Sequence, residues 1–391
     1  MKHFLLFIAV FLSSNTFAAS DEAPFSIRMA TSQMQRFPEA WRMENPKGLR
    51  WNYTYGLVLH SLLDVHDRYT RPDMFDYALD YADTCVQEDG SIINYKVTAY
   101  SLDRVLPGRI LYRIYEQTKN PKYKKAMDRI RSQFDSNPRN PDGGFWHRPN
   151  YPHQMWLDGL YMAQPFMAEY CLRHNRVNDY QIPIHQLRLV GKHTYEPEMD
   201  LFKHGYDDSK TEAWADPITG RSKHCWGRAM GWYAMAVVDV LEFTPIHEPG
   251  RNELVQLLQQ LANQMKRHQD KKTGVWYQVI DRSGEKGNYL ESSCSSMFTY
   301  TLLKGVRLGY LDRSYLKTAK KAYKGLLKQF IRTDANGSLS ITNCCAVAGL
   351  GGEKVYRSGT FEYYISEPVI DNDLKSVGSF IKASLEMELI R

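Results

Sequence analysis

The sequence predicts an all-α protein, an (α/α)6 barrel of six helical hairpins. Apolar residues recur at helical spacing along the chain, and the helical segments pair across short polar turns. Longer loops, several with a glycine turn, separate the pairs. These loops vary widely in length, which favours a closed ring over an open solenoid with near-constant repeats and polar caps.

Twelve helices are predicted from this periodicity. They cover residues 26–36, 52–67, 72–87, 102–118, 121–135, 156–173, 178–196, 226–244, 250–268, 292–309, 313–331 and 371–389. Short turns such as Lys119-Asn120-Pro121 and Leu311-Asp312-Arg313 join the hairpins. No linker or low-complexity segment divides the chain, so residues 20–391 are expected to form one domain.

The first residues have the pattern of a secretory signal peptide over residues 1–19. Lys2 and His3 precede an apolar run over residues 4–12, and small and polar residues follow up to Ala19. The run is too short to span a bilayer. We therefore expect a bacterial protein exported to the periplasm or the medium, with no membrane anchor.

The composition indicates a folded globular protein, with 43% hydrophobic and 24% charged residues. The formal net charge of +6 is spread along the chain, which argues against a nucleic-acid partner and suits an anionic small substrate. The six cysteines show no zinc-type spacing, so we expect no metal site and favour buried free thiols over a disulfide framework. No feature indicates an obligatory protein partner.

Two aspartates at predicted helix starts are the candidate catalytic groups. Asp158, taken alone, is best explained as a helix cap. The nearby rings of Trp146, Trp156 and Tyr161 would desolvate its carboxyl group and favour the protonated form that a general acid requires. Asp103, taken alone, would complement a helix dipole. If both helix starts face one cleft, the two form a carboxylate pair in which one charge holds the proton on the other.

Further candidates have the chemistry of a sugar site. Arg228 and Trp232 lie four positions apart on one predicted helix and would present a guanidinium and an indole together, which suits an anionic sugar. Ordinary stacking of Arg on Trp is the alternative. His147 lies in the dense segment 143–148, and His204 lies on a loop, where it is either a site residue or a solvated one.

These segments together resemble the unsaturated glucuronyl and rhamnogalacturonyl hydrolases of glycoside hydrolase families 88 and 105, and family 105 most closely. The resemblance is carried by residues 156–162, 204–207, 226–233 and 295–298, which occur in the family's order over nearly the whole mature chain. The family fold is an (α/α)6 barrel, in agreement with the independent count of twelve helices.

The resemblance implies an unusual glycosidase. Polysaccharide lyases leave a C4=C5 double bond in the non-reducing uronic acid, and these enzymes hydrate that bond; the resulting hemiketal collapses and releases the next sugar. Asp158 matches the family's general acid/base, and Asp103 matches its second acidic position. The chemistry needs no metal or cofactor, and unsaturated galacturonyl-rhamnose from pectin is the expected substrate.

The resemblance also implies a set of substrate-binding residues. Four positions match family residues that bind the unsaturated uronate or assist water: His147, His204, Arg228 and Trp232. Three aromatic residues are expected to line the same cleft: Trp51, Tyr55 and Trp156.

Several alternatives stay open. The first alternative is a substrate derived from ulvan or a glycosaminoglycan, whose lyase products carry the same double bond. A six-hairpin sugar epimerase or a hydrolase of saturated glycans is a second alternative. An exported glycan-binding protein without catalysis is the third, although a binder has little use for acids in aromatic surroundings.

Overall fold

The computed structural model describes residues 22–44 and 48–390, and the predicted signal peptide over residues 1–19 lies outside them. The chain is mainly helical in the described part. Its α-helices are α1 Phe25–Arg36, α2 Tyr53–Tyr69, α3 Pro72–Cys85, α4 Ile110–Thr118, α5 Pro121–Ser136, α6 Leu157–Arg173, α7 Gln181–Thr194, α8 Gly227–Phe243, α9 Arg251–His268, α10 Ser292–Arg307, α11 Tyr315–Phe330, α12 Phe361–Ser366 and α13 Leu374–Leu389. Among these helices, none is long and apolar enough to cross a membrane.

The helices form two concentric rings. Helices α2, α4, α6, α8, α10 and α13 make the inner ring, which closes because α13 packs on both α10 and α2. The 3-10 turn Leu106–Arg109, just before α4, completes the ring between α2 and α6. The outer helices α3, α5, α7, α9, α11 and α1 each pack mainly on one inner helix. The predicted (α/α)6 barrel is confirmed.

Short strands occur only in the connecting loops of the described residues. Four antiparallel pairs form: β1 Gln154–Trp156 with β4 Gly205–Asp207, β2 Tyr195–Glu196 with β3 Leu201–Phe202, β5 Ile331–Thr333 with β6 Leu339–Ile341, and β7 Cys344–Cys345 with β8 Val369–Ile370. In the first pair, Trp156 lies opposite Gly205. This pairing brings the start of α6 beside the loop that carries His204.

All twelve predicted helices have a counterpart, with two clear differences. The helix expected over 102–118 begins only at Ile110, and the preceding residues form 3-10 turns. Pro107 explains this, because a proline disfavours α-helix in the residue before it and lacks an N–H. Helix α12, with six residues, was not predicted.

The glycines inside the predicted helix over 226–244 permit close packing with a neighbouring helix. A Cβ atom on Gly231 would lie 2.9 Å from Cβ of Met297, and one on Gly227 would lie 3.1 Å from Cβ of Cys294. Both contacts are with α10. These two glycines therefore permit close packing between the inner helices α8 and α10. All six cysteines are buried and carry free thiols, as expected.

A network of buried charges lies inside the ring. Asp239 of α8 accepts hydrogen bonds from Arg109 at 2.9 Å, Tyr300 at 2.6 Å and Lys304 at 2.7 Å. Burial raises the pKa of Asp239, but the charges of Lys304 and Arg109 outweigh it and hold that pKa well below its usual range. Asp239 is therefore ionised and links three helical segments.

We expect Asp239→Asn to lower the free energy of unfolding by about 3–5 kcal/mol, because it leaves two buried cations without their shared carboxylate. The stabilisation is present above the ordinary carboxyl pKa of about 3.9 and is lost as the pH falls below it. Urea unfolding at pH 7 measures the change. Asp135→Asn, at a side chain that is 62% exposed, is the control; we expect a change below about 1 kcal/mol there. Equal effects of the two substitutions would contradict the conclusion that Asp239 is an ionised partner of the two buried cations.

Candidate active site

A narrow cleft opens at the end of the barrel where α2 and α6 begin. It is lined by Tyr53, Asp103, His147, Arg148, Tyr151, Trp156, Asp158, Met162, Trp232, Val347, Ala348 and Arg357. The structure thus brings together five of the residues selected from the sequence: Asp103, His147, Trp156, Asp158 and Trp232. The remaining four, Trp51, Tyr55, His204 and Arg228, do not line the cleft.

Asp158 lies in the first turn of α6, with its carboxyl group between the cleft and the protein interior. The N-cap of that helix is Trp156, so Asp158 is not its cap. Oδ2 is buried and lies 3.0 Å from Nε2 of His204, and neither of these two atoms has an aligned hydrogen-bond partner among the described residues. The side chain is 15% exposed, which leaves the other oxygen facing the cleft.

His204 lies behind Asp158 and is completely buried. The β1–β4 pairing holds it there, because the backbone N–H of Leu157 donates to the His204 carbonyl at 3.1 Å. Its Nδ1 lies 2.7 Å from the hydroxyl of Tyr364. Of the two possibilities considered for His204, the solvated one is wrong.

Asp103 and His147 also line the cleft. Asp103 lies on the 3-10 turn Leu102–Arg104, where Oδ2 makes an ion pair with Arg148 and Oδ1 lies 3.7 Å from Nε2 of His147. His147 stacks on Trp156, with ring centroids 4.5 Å apart. Burial lowers the pKa of His147 to about 4, an effect that attraction to Asp158 only partly offsets. His147 is therefore neutral near pH 7.

Aromatic rings make up much of the remaining wall. Trp232 stacks on Tyr161 at 5.1 Å and meets the ring of Tyr53 edge-on at 6.2 Å. Trp146, expected to desolvate Asp158, instead donates its indole N–H to Asn140 at 2.8 Å. It does not line the cleft, and Tyr161 lies behind Trp232. Of the three rings expected beside Asp158, Trp156 is the one that lines the cleft.

Arg228 is held away from the cleft by buried partners. Its guanidinium makes an ion pair with Glu291 at 3.3 Å and donates to Ser293 at 2.7 Å. The ring it contacts is Trp226, 5.1 Å away, and not Trp232. The joint presentation of Arg228 and Trp232 to a sugar, predicted from their spacing, is not found.

Trp51 and Tyr55 are core residues, which corrects their predicted place in the cleft. Both are fully buried, and both stack on Tyr81, at 5.9 Å and 5.5 Å. The indole N–H of Trp51 donates to the Arg104 carbonyl at 2.9 Å. Tyr53, at the first position of α2, faces the cleft instead.

Sequence reasoning also missed Arg357, which reaches the cleft from the loop before α12. Its guanidinium lies 5.6 Å from the ring of Trp156 and donates to the Tyr151 hydroxyl at 2.7 Å. Among residues 22–44 and 48–390 no carboxylate makes an ion pair with it, whereas Arg148 is paired with Asp103. No local pattern around Arg357 signals this position, but Arg148 directly follows the selected His147.

Comparison with known proteins gives consistent similarities. A family model described as Glycosyl Hydrolase Family 88 matches residues 25–390. A family 105 glycoside hydrolase structure from C. acetobutylicum ATCC 824 has a TM-score of 0.90 and 41% identity, covering 94% of this chain and 100% of that chain. Protein Atu3128 of Agrobacterium fabrum is 36% identical over 234 residues, 59% of this chain and 99% of its own length. The unsaturated rhamnogalacturonyl hydrolase YesR of Bacillus subtilis is 22% identical over 283 residues, 71% of this chain and 75% of its own length.

We expect His147 to stay neutral in the folded protein down to about pH 5, because burial lowers its pKa to about 4. Its ring-nitrogen NMR shifts should stay constant from about pH 8 to 5, whereas the unfolded chain in urea titrates near 6.5. Since the folded pKa is the lower one, the fold loses stability as the pH falls from about 6.5 toward 4. His147→Gln should remove this part of the pH dependence. Titration of folded His147 near pH 6.5 would contradict the assignment.

Proposed function

The chain is an unsaturated uronyl hydrolase of glycoside hydrolase families 88 and 105, and we propose that its substrate is unsaturated galacturonyl-rhamnose released from pectin by a lyase. The observation that carries the reaction is the carboxyl group of Asp158, which faces the cleft with one oxygen and His204 with the other. We also propose export, directed by residues 1–19, so that the enzyme meets lyase products outside the cytoplasm.

In the proposed reaction Asp158 acts first as an acid and then as a base. The protonated carboxyl group gives its proton to C4 of the unsaturated uronate, and positive charge develops at C5 and the ring oxygen. Water then attacks C5, and the Asp158 carboxylate takes up the proton that this water loses. The hemiketal at C5 opens to a ketone, which leaves C1 as a hemiacetal that carries a hydroxyl group and the neighbouring sugar. This hemiacetal breaks down to an aldehyde, and the bond from C1 to the neighbouring sugar is broken as that sugar leaves with the hydroxyl proton. The atoms of one water molecule are added across the double bond.

Asp103 is proposed to hold the sugar and not to tune Asp158. Its charge is compensated by Arg148, which weakens any electrostatic effect on a second carboxyl group. Its oxygens remain available as acceptors for sugar hydroxyl groups, beside the neutral His147. The rings of Trp156 and Trp232 provide flat apolar surface for the sugar faces.

The uronate carboxylate needs a cation in the cleft, and Arg357 is the best placed. Arg228 was expected in this role, but its guanidinium is already committed to Glu291. Arg148 lines the cleft with its charge compensated by Asp103. Arg357 lines the same cleft and makes no ion pair with a carboxylate of the described chain. We therefore propose that Arg357 binds the substrate carboxylate.

The reaction is tested by following the ultraviolet absorbance of the C4=C5 uronate in pectin-lyase-derived disaccharide. The wild type should remove the absorbance, and Asp158→Asn should lower kcat by about 10²–10⁴-fold, as expected for loss of a general acid. Asp135→Asn, on the exposed face of α5, is the control and should match the wild type. Unchanged absorbance with the wild type would contradict the proposed substrate. Full activity of Asp158→Asn would contradict the assignment of Asp158 as the acid/base.

Recognition by Arg357 is tested with Arg357→Gln and with the methyl ester of the substrate. The substitution should raise KM for the free acid about tenfold to a hundredfold, the value of a charge-assisted hydrogen bond, with little change in kcat. With the wild type, the ester should show a similar rise in KM relative to the free acid. With Arg357→Gln, the ester should raise KM little further, because both changes remove the same interaction. Arg332→Gln, at an arginine that is 58% exposed, is the matched control. Additive effects of the two changes would contradict a direct contact.

A further inference from the structure

We propose that Tyr364 is a positioning residue, whose hydroxyl fixes the tautomer of His204 so that the Nε2–H of the imidazole faces Asp158. The proposal rests on the proposed function, since it assigns Asp158 the acid/base role. It adds a residue from α12, the short helix that periodicity did not predict. Tyr364 does not line the cleft, so it acts through His204 and does not touch the sugar.

The three side chains form a continuous chain of contacts from the interior to the cleft. The Tyr364 hydroxyl lies 2.7 Å from Nδ1 of His204, and Nε2 of the same ring lies 3.0 Å from Oδ2 of Asp158. Tyr364 and His204 are both completely buried. Water is thus kept from both nitrogens of the imidazole.

The imidazole ring is also held in orientation. Trp226 packs on it with ring centroids 4.8 Å apart, and Trp156 meets it edge-on at 5.7 Å. Trp226 in turn stacks on the ring of Tyr364 at 6.1 Å. With these rings around it, His204 has one orientation, and its two nitrogens keep their separate partners.

The direction of the Tyr364 hydrogen bond follows from its surroundings. Burial raises the pKa of Tyr364 well above its usual value, so the phenol keeps its proton. Within the described residues, Nδ1 of His204 is the one hydrogen-bond partner of that hydroxyl. The proton is therefore donated to Nδ1, and a neutral imidazole that accepts at Nδ1 carries its own proton on Nε2.

The other titratable groups near Tyr364 and His204 do not compete with Asp158 for interaction with Nε2 of His204. They are His147, Cys225, Asp281, Tyr363 and Arg357. Burial raises the pKa values of Cys225 and Tyr363 and lowers that of His147, so all three are neutral near pH 7. Asp281 is engaged by Nδ1 of His224 and the backbone N–H of Cys225, each at 2.7 Å. Arg357 donates a hydrogen bond to the Tyr151 hydroxyl.

The fixed tautomer matters when Asp158 gives its proton to C4. The carboxylate that forms has Oδ2 3.0 Å from Nε2 of His204. The partial positive charge of the Nε2–H stabilises the new negative charge across this distance, while the other oxygen stays free for the substrate and water. The proton on Nε2 is not transferred, so the proton balance of the reaction is unchanged. The opposite tautomer would present a lone pair to the carboxylate and oppose the same step.

The test is Tyr364→Phe, compared with Tyr112→Phe, which removes an equally buried hydroxyl that donates to the Phe166 carbonyl at 3.0 Å on a different helix. We expect kcat of Tyr364→Phe to fall about tenfold to a hundredfold with KM within about twofold. The limb on which activity falls with rising pH should move to higher pH, because the carboxylate loses stabilisation. Tyr112→Phe should keep the wild-type kcat and pH profile.

Nitrogen-15 NMR of His204 provides a readout that packing alone would not change. The wild type should show a protonated Nε2 and an unprotonated Nδ1, and Tyr364→Phe should lose this pattern. A wild-type ring protonated at Nδ1, or a Tyr364→Phe enzyme with unchanged kcat and pH profile, would overturn the proposal. If Tyr364→Phe does not fold, the wild-type spectrum still decides it. A wild type that consumes no unsaturated uronide refutes the proposed function instead, and the spectrum still tests the tautomer.

Discussion

The approach of His204 to Asp158 depends on the antiparallel pairing of β1 with β4. Trp156 lies opposite Gly205, so the residues next to them, the start of α6 and His204, come side by side. The pairing requires glycine, because a Cβ at Gly205 would lie 3.0 Å from the Trp156 ring and 2.8 Å from Leu350. The ring of inner helices then fixes where this pair sits, since α6 is held between the turn before α4 and helix α8.

Charge is distributed differently in the barrel interior and in the cleft. In the interior, Asp239 and its cationic partners compensate one another, as do Arg228 and Glu291. In the cleft, Asp103 compensates Arg148, and Arg357 keeps its full charge next to aromatic rings. Among the described residues that line the cleft, Arg357 is thus a cation without a carboxylate partner, and it lines the same cleft as the carboxyl group proposed to carry the reaction.

The sequence predicted the helices well because each carries its own apolar periodicity, and it failed where position depends on distant contacts. Helix α12 has six residues, too few to show a period. Tyr53 and Tyr55 lie two positions apart at the start of one helix. Stacking of Tyr55 on Tyr81 places Tyr55 in the core, and this contact is not visible in the local sequence. The spacing predicted that Arg228 and Trp232 face the cleft together, but the guanidinium of Arg228 makes an ion pair with Glu291 at the start of another helix. Arg357 and Tyr364 reach the site from a loop and helix that lie about 200 positions after Asp158, so no local pattern reveals them.

The central claim is that Asp158 protonates C4 of an unsaturated uronate, and the most direct test is the reaction of the wild-type enzyme in D2O. NMR of the released uronate at early times would locate the label. The account predicts one deuterium at C4 in a single configuration, with the double bond gone from every molecule that has released its neighbouring sugar. A product that retains the C4=C5 bond after the neighbouring sugar has left would show cleavage at the anomeric carbon and contradict the account.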